Sequence, residues 1–99
     1  MGEYIEIVHL DRSDLGNYLL ATPKLKEIAE NILSLDREGK VNYKMFRLNQ
    51  DPQIDKNCPI RVGGTLWEVC VDTRAKNLAG MGYKNVKKDK SISFSDEDY

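Results

Sequence analysis

The chain has 99 residues, of which 15 are basic and 16 acidic, so its formal net charge is −1 at pH 7. This length leaves room for one domain and excludes a second hydrophobic core, while 40% hydrophobic residues suffice for one modest core and exclude a disordered chain. The balanced charge removes the electrostatic argument for a nucleic-acid-binding protein, and no apolar run approaches the roughly 20 residues of a membrane span.

The N-terminal half predicts a strand followed by two helices. Residues 4–10 are rich in β-branched and aromatic side chains, which favour a strand. Asp11 is a candidate N-cap with Asp14 at the capping-box position, and together they predict a short helix. Thr22 and the proline after it predict the start of a second helix, which we expect to end at Gly39. Its apolar positions recur at helical spacing: Leu25, Ile28, Ala29, Ile32 and Leu33.

The C-terminal half predicts two further strands. Residues 41–48 follow a glycine and favour a strand, and residues 50–59 contain two prolines and predict a loop. Residues 65–72 alternate between apolar and polar side chains, with Trp67 on the apolar face, and predict a half-buried strand. Residues 73–78 predict a helical turn or a loop.

These elements predict an α+β fold with an extended C-terminal arm. We expect a small mixed or mainly antiparallel sheet of three to four strands, packed by one amphipathic helix and one shorter helix. The domain would span residues 1–82 and the arm residues 83–99. Within the arm, Ile92 and Phe94 share one face of a short alternating segment suited to adding a strand to a neighbour's sheet. Deleting residues 91–99 would then leave the fold intact.

The net charge near zero conceals an uneven distribution of basic and acidic side chains along the chain. Residues 61–90 carry seven basic side chains against three acidic ones, whereas residues 91–99 carry three acidic side chains and no basic one. A basic segment that runs into an acidic end is suited to two differently charged neighbours.

Nothing in the sequence indicates catalysis, a cofactor or a metal. Cys58 and Cys70 are too few for a disulfide scaffold, and with His9 as the single histidine they form no zinc ligand set. His9 shares a strand face with Ile5 and Ile7 and has no nucleophile at a recognisable spacing, so we expect a structural histidine. We therefore expect that the protein is not an enzyme, because catalysis would need a pocket that holds His9 or a pair of carboxylates.

Two further patterns resemble ligand-binding motifs, but their residues favour a structural role. Oxygen-bearing side chains alternate over residues 49–55 as in a calcium loop, but Ile54 and Ile60 stand where that loop needs glycine and glutamate. Gly63 and Gly64 precede a predicted strand rather than joining a strand to a helix. They predict a turn or bulge and not a phosphate-binding loop.

The order of elements resembles a known family. The first strand, the short helix and residues 21–33, where a proline leads into a helix, are similar to the opening of the neck and tail-completion proteins of tailed phages, the small head–tail connector proteins of siphophages. In that family an arginine-valine strand and a Thr-Arg-x-x-x-Leu segment come later, and residues 61–71 and 73–78 take those places here. The resemblance covers residues 3–78, and residues beyond Gly80 have no counterpart in it.

The resemblance implies a structural virion protein, assembled in the host cytoplasm, that forms a homo-oligomeric ring at the head–tail interface. Its partners would be copies of itself and the neighbouring connector and tail proteins, with no membrane, and with nucleic acid only as part of a channel lining. The candidate interface residues are Trp67, Ile92, Phe94 and Tyr99. The alternative, which fits the size and charge equally well, is a small phage-encoded binding module that inhibits a host protein.

Overall fold

The computed structural model describes residues 2–44 and 48–99 and shows a four-stranded sheet with helices on both faces. The strands are β1 (Tyr4–Val8), β2 (Val41–Lys44), β3 (Ile60–Thr65) and β4 (Val86–Phe94). The helices are α1 (Arg12–Tyr18), α2 (Pro23–Arg37) and α3 (Asp72–Gly80), with a π-helical turn at Trp67–Val71 and a 3-10 turn at Asp96–Asp98. The sheet order is β2-β1-β3-β4, and every neighbouring pair is parallel.

The prediction of an α+β fold with a mainly antiparallel sheet is therefore wrong. The protein is a small α/β domain, because each strand returns to the sheet through a crossover and not through a hairpin. In a parallel sheet with helices on both faces, the central strands are buried on both sides. In β1, Ile5 to Val8 are all buried, including Glu6, and this strand was nevertheless identified because its residue types favour strands.

The predicted capping signals of the first two helices are confirmed. The side chain of Asp11 accepts a hydrogen bond from the Asp14 amide, and Asp14 Oδ2 accepts one from the Asp11 amide, both at 3.0 Å. Thr22 Oγ1 accepts from the Leu25 amide at 3.4 Å. After α2, Gly39 adopts a φ of +70°, which favours glycine and ends the helix.

The hydrophobic core has two parts, one on each face of the sheet. Side chains of β1 and β4 pack against α1 and α2 on one face: Ile5, Ile7, Leu10, Leu15, Leu25, Ile28, Ala29, Ile32, Ile92 and Phe94. On the other face, side chains of β1 and β3 pack against α3 and the chain around it: Val8, Ile60, Val62, Val71, Leu78 and Tyr83. The sheet is thus the middle layer of three.

The predicted strand over residues 65–72 is wrong. The strand lies earlier, in β3, and the chain then turns into the π-helical turn and α3. The alternation of apolar residues misled the prediction, because Val71 is fully buried whereas Val69 is 55% exposed. Gly64, with a φ of +116°, allows the close approach of β3 to β1: a Cβ there would lie 2.3 Å from the carbonyl oxygen of Val8.

The expected C-terminal arm is the edge strand of the chain's own sheet. In β4, Ser93 and Phe94 are in register with Gly64 and Thr65 of β3, after a register shift that begins beyond Val62. Gly63 permits this contact, since a Cβ there would lie 2.5 Å from the carbonyl oxygen of Ile92. The alternation that predicted strand addition was correct, but the sheet that receives this strand belongs to the same chain.

No helix within residues 2–44 and 48–99 is long and apolar enough to cross a membrane.

Candidate functional site

The strand order places a crevice at the carboxyl edge of the sheet. From β1 the chain continues into α1 on one face, and from the neighbouring β3 it continues towards α3 on the other. Where adjacent parallel strands lead to opposite faces, their carboxyl ends separate, and α/β proteins commonly bind ligands at this point.

A cleft of about 630 Å³ occupies this position, and we call it the carboxyl-edge cleft. It is lined by the chain after β1, by α1 and the start of α2, and by the end of β3: His9, Leu10, Asp14, Asn17, Tyr18, Ala21, Leu25 and Thr65. Its volume lies in the usual range for small-molecule sites, roughly 300–1,000 Å³.

The polar wall of the cleft is one face of α1. Asp14, Asn17 and Tyr18 occupy positions i, i+3 and i+4, which lie on the same side of a helix. The capping box fixes the start of this helix and leaves acceptor capacity on the Asp14 carboxylate, since one oxygen pair offers about four lone-pair sites. The wall therefore presents a carboxylate, an amide and a phenol together.

Tyr18 is held in place by the C-terminal segment. Its ring stacks on Phe94 with 4.2 Å between ring centroids, and its hydroxyl lies 2.9 Å from that of Tyr99. Burial raises the pKa of Tyr18, and the hydrogen bond to Tyr99 and the nearby charge of Asp14 raise it further. Tyr18 therefore stays an uncharged hydroxyl at neutral pH.

His9 follows the last residue of β1 and turns the chain towards α1. Its φ is +58°, in the left-handed region that non-glycine residues adopt infrequently, and its amide donates to the Lys44 carbonyl at 2.7 Å. Strained backbone of this kind concentrates at functional sites. The expectation placed His9 within the strand, whereas the structure places it in the wall of the cleft.

The cleft lacks the features that bind phosphate. Among the described residues, its lining contains the carboxylate of Asp14 and neither lysine nor arginine. Asp11 and Asp14 cap the first turn of α1, so its amide groups are not offered to an anion. Nearby Arg12 is paired with Asp36, at 2.7 Å between Nε and Oδ2. In the part of the chain that the structure describes, no group of three or more histidine, cysteine or acidic residues could hold a metal ion.

A buried ion pair lies on the opposite face of the sheet. Arg74 donates from Nε and Nη2 to the two carboxylate oxygens of Glu6, at 2.6 and 2.8 Å, and both side chains are almost fully buried. Its Nη1 donates to the carbonyls of Leu48 and Gln50, both at 2.7 Å. These contacts link Leu48 and Gln50 to the sheet and α3, so the pair has a structural role.

The four candidate interface residues occupy different environments. Ile92 and Phe94 are buried in the core of this chain, whereas Tyr99 is 60% exposed; Tyr18 contacts both Phe94 and Tyr99. Trp67 is partly buried beneath Lys88, whose Nζ lies 4.1 Å from a ring centroid. Trp67 and Tyr99 remain predicted interface residues.

Sequence reasoning missed the cleft because it combines three distant segments. The sequence assigned Asp14 to a capping box and Leu25 to the apolar face of the second helix, and it indicated no binding role for Asn17, Tyr18, Ala21 or Thr65. The one available signal is the junction between a strand and a helix at residues 9–11. It indicates a binding site only once the sheet is known to be parallel.

Comparisons of the chain with protein-family models, with curated proteins and with solved structures give no match.

Proposed function

We propose that this chain is a binding module for a small organic molecule, which it holds in the carboxyl-edge cleft. The observation that carries the proposal is the position of the cleft, at the point where β1 and β3 lead to opposite faces of the sheet. The ends of two strands and a capped helix fix the positions of the lining residues before a ligand binds. Binding therefore costs little conformational entropy.

The lining indicates a molecule with an apolar body and a polar edge. Leu10 and Leu25 are buried side chains at the base of the cleft and supply an apolar contact surface. Asn17, Tyr18 and Thr65 supply hydrogen-bonding groups at its walls. A mainly apolar concave surface with a few polar groups is the usual character of a small-molecule site.

The virion role implied by the phage resemblance remains a separate prediction. One of its supports was the C-terminal arm, and that segment forms β4. A module for a small molecule and a ring subunit differ in oligomeric state, which light scattering coupled to size-exclusion chromatography measures. A defined ring in solution would favour the virion role.

Amide-detected NMR titration tests the proposal with two neutral probes, benzyl alcohol and indole. We expect saturable shift changes at millimolar concentration, confined to residues 9–10, 14–18, 21, 25 and 65. Ala21→Trp, at an exposed position of the lining, should fill the cleft and remove binding. The matched control is Ala79→Trp, at an exposed position of α3, and it should bind as the original chain does.

Thermal unfolding of both tryptophan variants shows whether each retains the fold. If neither probe shifts these resonances, or if both variants bind equally well, the cleft is not a small-molecule site.

A further inference from the structure

We propose that the natural ligand of the carboxyl-edge cleft is an organic amine whose positively charged nitrogen is received by Asp14. This inference rests on the proposed function and adds the chemical class of the ligand.

The fixed charge in the lining is negative. Eight of the described residues line the cleft; among these eight, Asp14 is the acidic side chain, and His9 is the one residue of a basic type. An opposite charge within about 4–6 Å is favoured at such a position, whereas an anion would be repelled. The lining therefore selects a cation or a neutral molecule over an anion.

Two described basic residues near the lining, Arg12 and Lys44, have other partners. Arg12 pairs with Asp36. The Nζ of Lys44 donates to the side-chain oxygen of Gln50 at 3.2 Å. Neither side chain lines the cleft, so neither neutralises Asp14 there.

The other polar groups of the wall suit a nitrogen that carries several N–H donors. An ammonium group offers up to three donors and no acceptor. The amide oxygen of Asn17, the hydroxyl of Thr65 and the protonated hydroxyl of Tyr18 can each accept a hydrogen bond. Together with Asp14, they provide more acceptors than one ammonium group needs.

Three probes that share one ring and differ in charge test the inference: benzylamine, benzyl alcohol and benzoate. Binding is measured at pH 7 by the same NMR titration. We expect benzylamine to bind about five- to tenfold more tightly than benzyl alcohol, because one charge-assisted hydrogen bond in a partly exposed site contributes about that much affinity. Benzoate should bind more weakly than benzyl alcohol.

Matched variants assign the preference to Asp14. Asp14→Asn should bring the affinity for benzylamine down to that for benzyl alcohol. Asp11→Asn removes the same charge from the same capping box, outside the lining, and should keep the preference. Adding Asn17→Asp to the Asp14→Asn variant returns a carboxylate to the same helix face and should restore it.

The outcomes separate the two proposals. If benzyl alcohol and benzylamine bind equally, or if benzoate binds best, the amine inference is overturned while the cleft remains a binding site. If none of the three probes binds, the proposed function itself fails. If Asp11→Asn removes the preference as fully as Asp14→Asn does, the effect comes from the net charge of the helix and not from the cleft.

Discussion

At the scale of single residues, burial determines whether a charged side chain has a structural role or only faces solvent. Arg74 belongs to the basic segment at residues 61–90, which suggested contact with an external neighbour, yet it is 1% exposed and bidentate to Glu6. Lys76, two positions along the same helix, is 77% exposed and pairs with Asp72. The difference arises because Arg74 faces the sheet, where Glu6 is its partner and the carbonyls of Leu48 and Gln50 also accept its hydrogen bonds.

We expect Arg74→Met to destabilise the protein by about 3–5 kcal/mol, because it leaves a buried carboxylate without its partner. The carbonyls of Leu48 and Gln50 lose their donor at the same time. Lys76→Met is the matched control and should leave the free energy of unfolding nearly unchanged, since that pair is exposed to solvent. Urea unfolding measures both variants, and equal midpoints would show that the buried pair contributes nothing specific.

At the scale of elements, the sequence predicts structure well where the signal is local. β1, α1 and α2 were identified because residue types, caps and helical spacing lie within a few positions of each other. The alternation over residues 65–72 failed, because the chain forms a π-helical turn there, and residues two positions apart do not share a helix face: Val71 is buried whereas Val69 is exposed. Of β4, only the alternating segment around Ile92 and Phe94 was predicted to be strand-like, and it was assigned to a neighbour's sheet; its partner β3 lies more than twenty positions earlier, beyond what a local pattern shows.

The candidate cleft was beyond sequence reasoning for the same reason. His9, Tyr18 and Thr65 meet because β1 and β3 are adjacent and parallel, and no spacing in the sequence encodes that adjacency. Tyr18 depends further on Phe94 and Tyr99 at the far end of the chain. What could be predicted is the capped start of α1, which supplies the polar wall.

The position of β4 predicts the effect of truncation. Deleting residues 91–99 removes Ile92 and Phe94 from the core, each worth roughly 1.5–3 kcal/mol of burial before any cavity is counted. A domain of this size has only about 5–15 kcal/mol of stability, so we expect the shortened chain to be unfolded. Deleting residues 96–99 alone, which include no buried side chain, should leave a folded protein.

Circular dichroism during heating and the dispersion of amide resonances report on both truncations. A cooperative transition in the chain that ends at residue 90 would show that the segment is an arm, as the sequence first suggested.

At the scale of the whole molecule, the uneven charge is largely neutralised within the chain. Arg61 of the basic segment lies between Glu3 and Asp89, with 2.9 Å from its Nη1 to Asp89 Oδ2. Asp72 bridges Lys76 and Lys88, at 2.9 and 3.2 Å. The charge pattern that suggested two external neighbours thus links parts of one fold.

The hydrogen bonds and ion pairs of the acidic side chains predict that the free energy of unfolding falls in acid. The Tyr83 hydroxyl lowers the pKa of Asp51, and the Ser95 hydroxyl lowers that of Glu68. The lysines beside Asp72 lower its pKa as well. A carboxyl group whose folded pKa is depressed stabilises the fold above its unfolded pKa, near 4, and this contribution is lost as the pH falls through the folded value. We therefore expect the urea midpoint to be level near pH 6 and to decline below about pH 4.

Single variants test whether these hydrogen bonds cause the decline. Ser95→Ala should return the pKa of Glu68 towards its ordinary value, so the loss of stability between pH 5 and pH 3 becomes smaller than in the original chain. Ser34→Ala, at an exposed position of α2, is the matched control and should keep the full decline. A midpoint that does not change between pH 5 and pH 3 would show that the carboxylates titrate alike in the folded and unfolded chains, and the network would then contribute no pH-dependent stability.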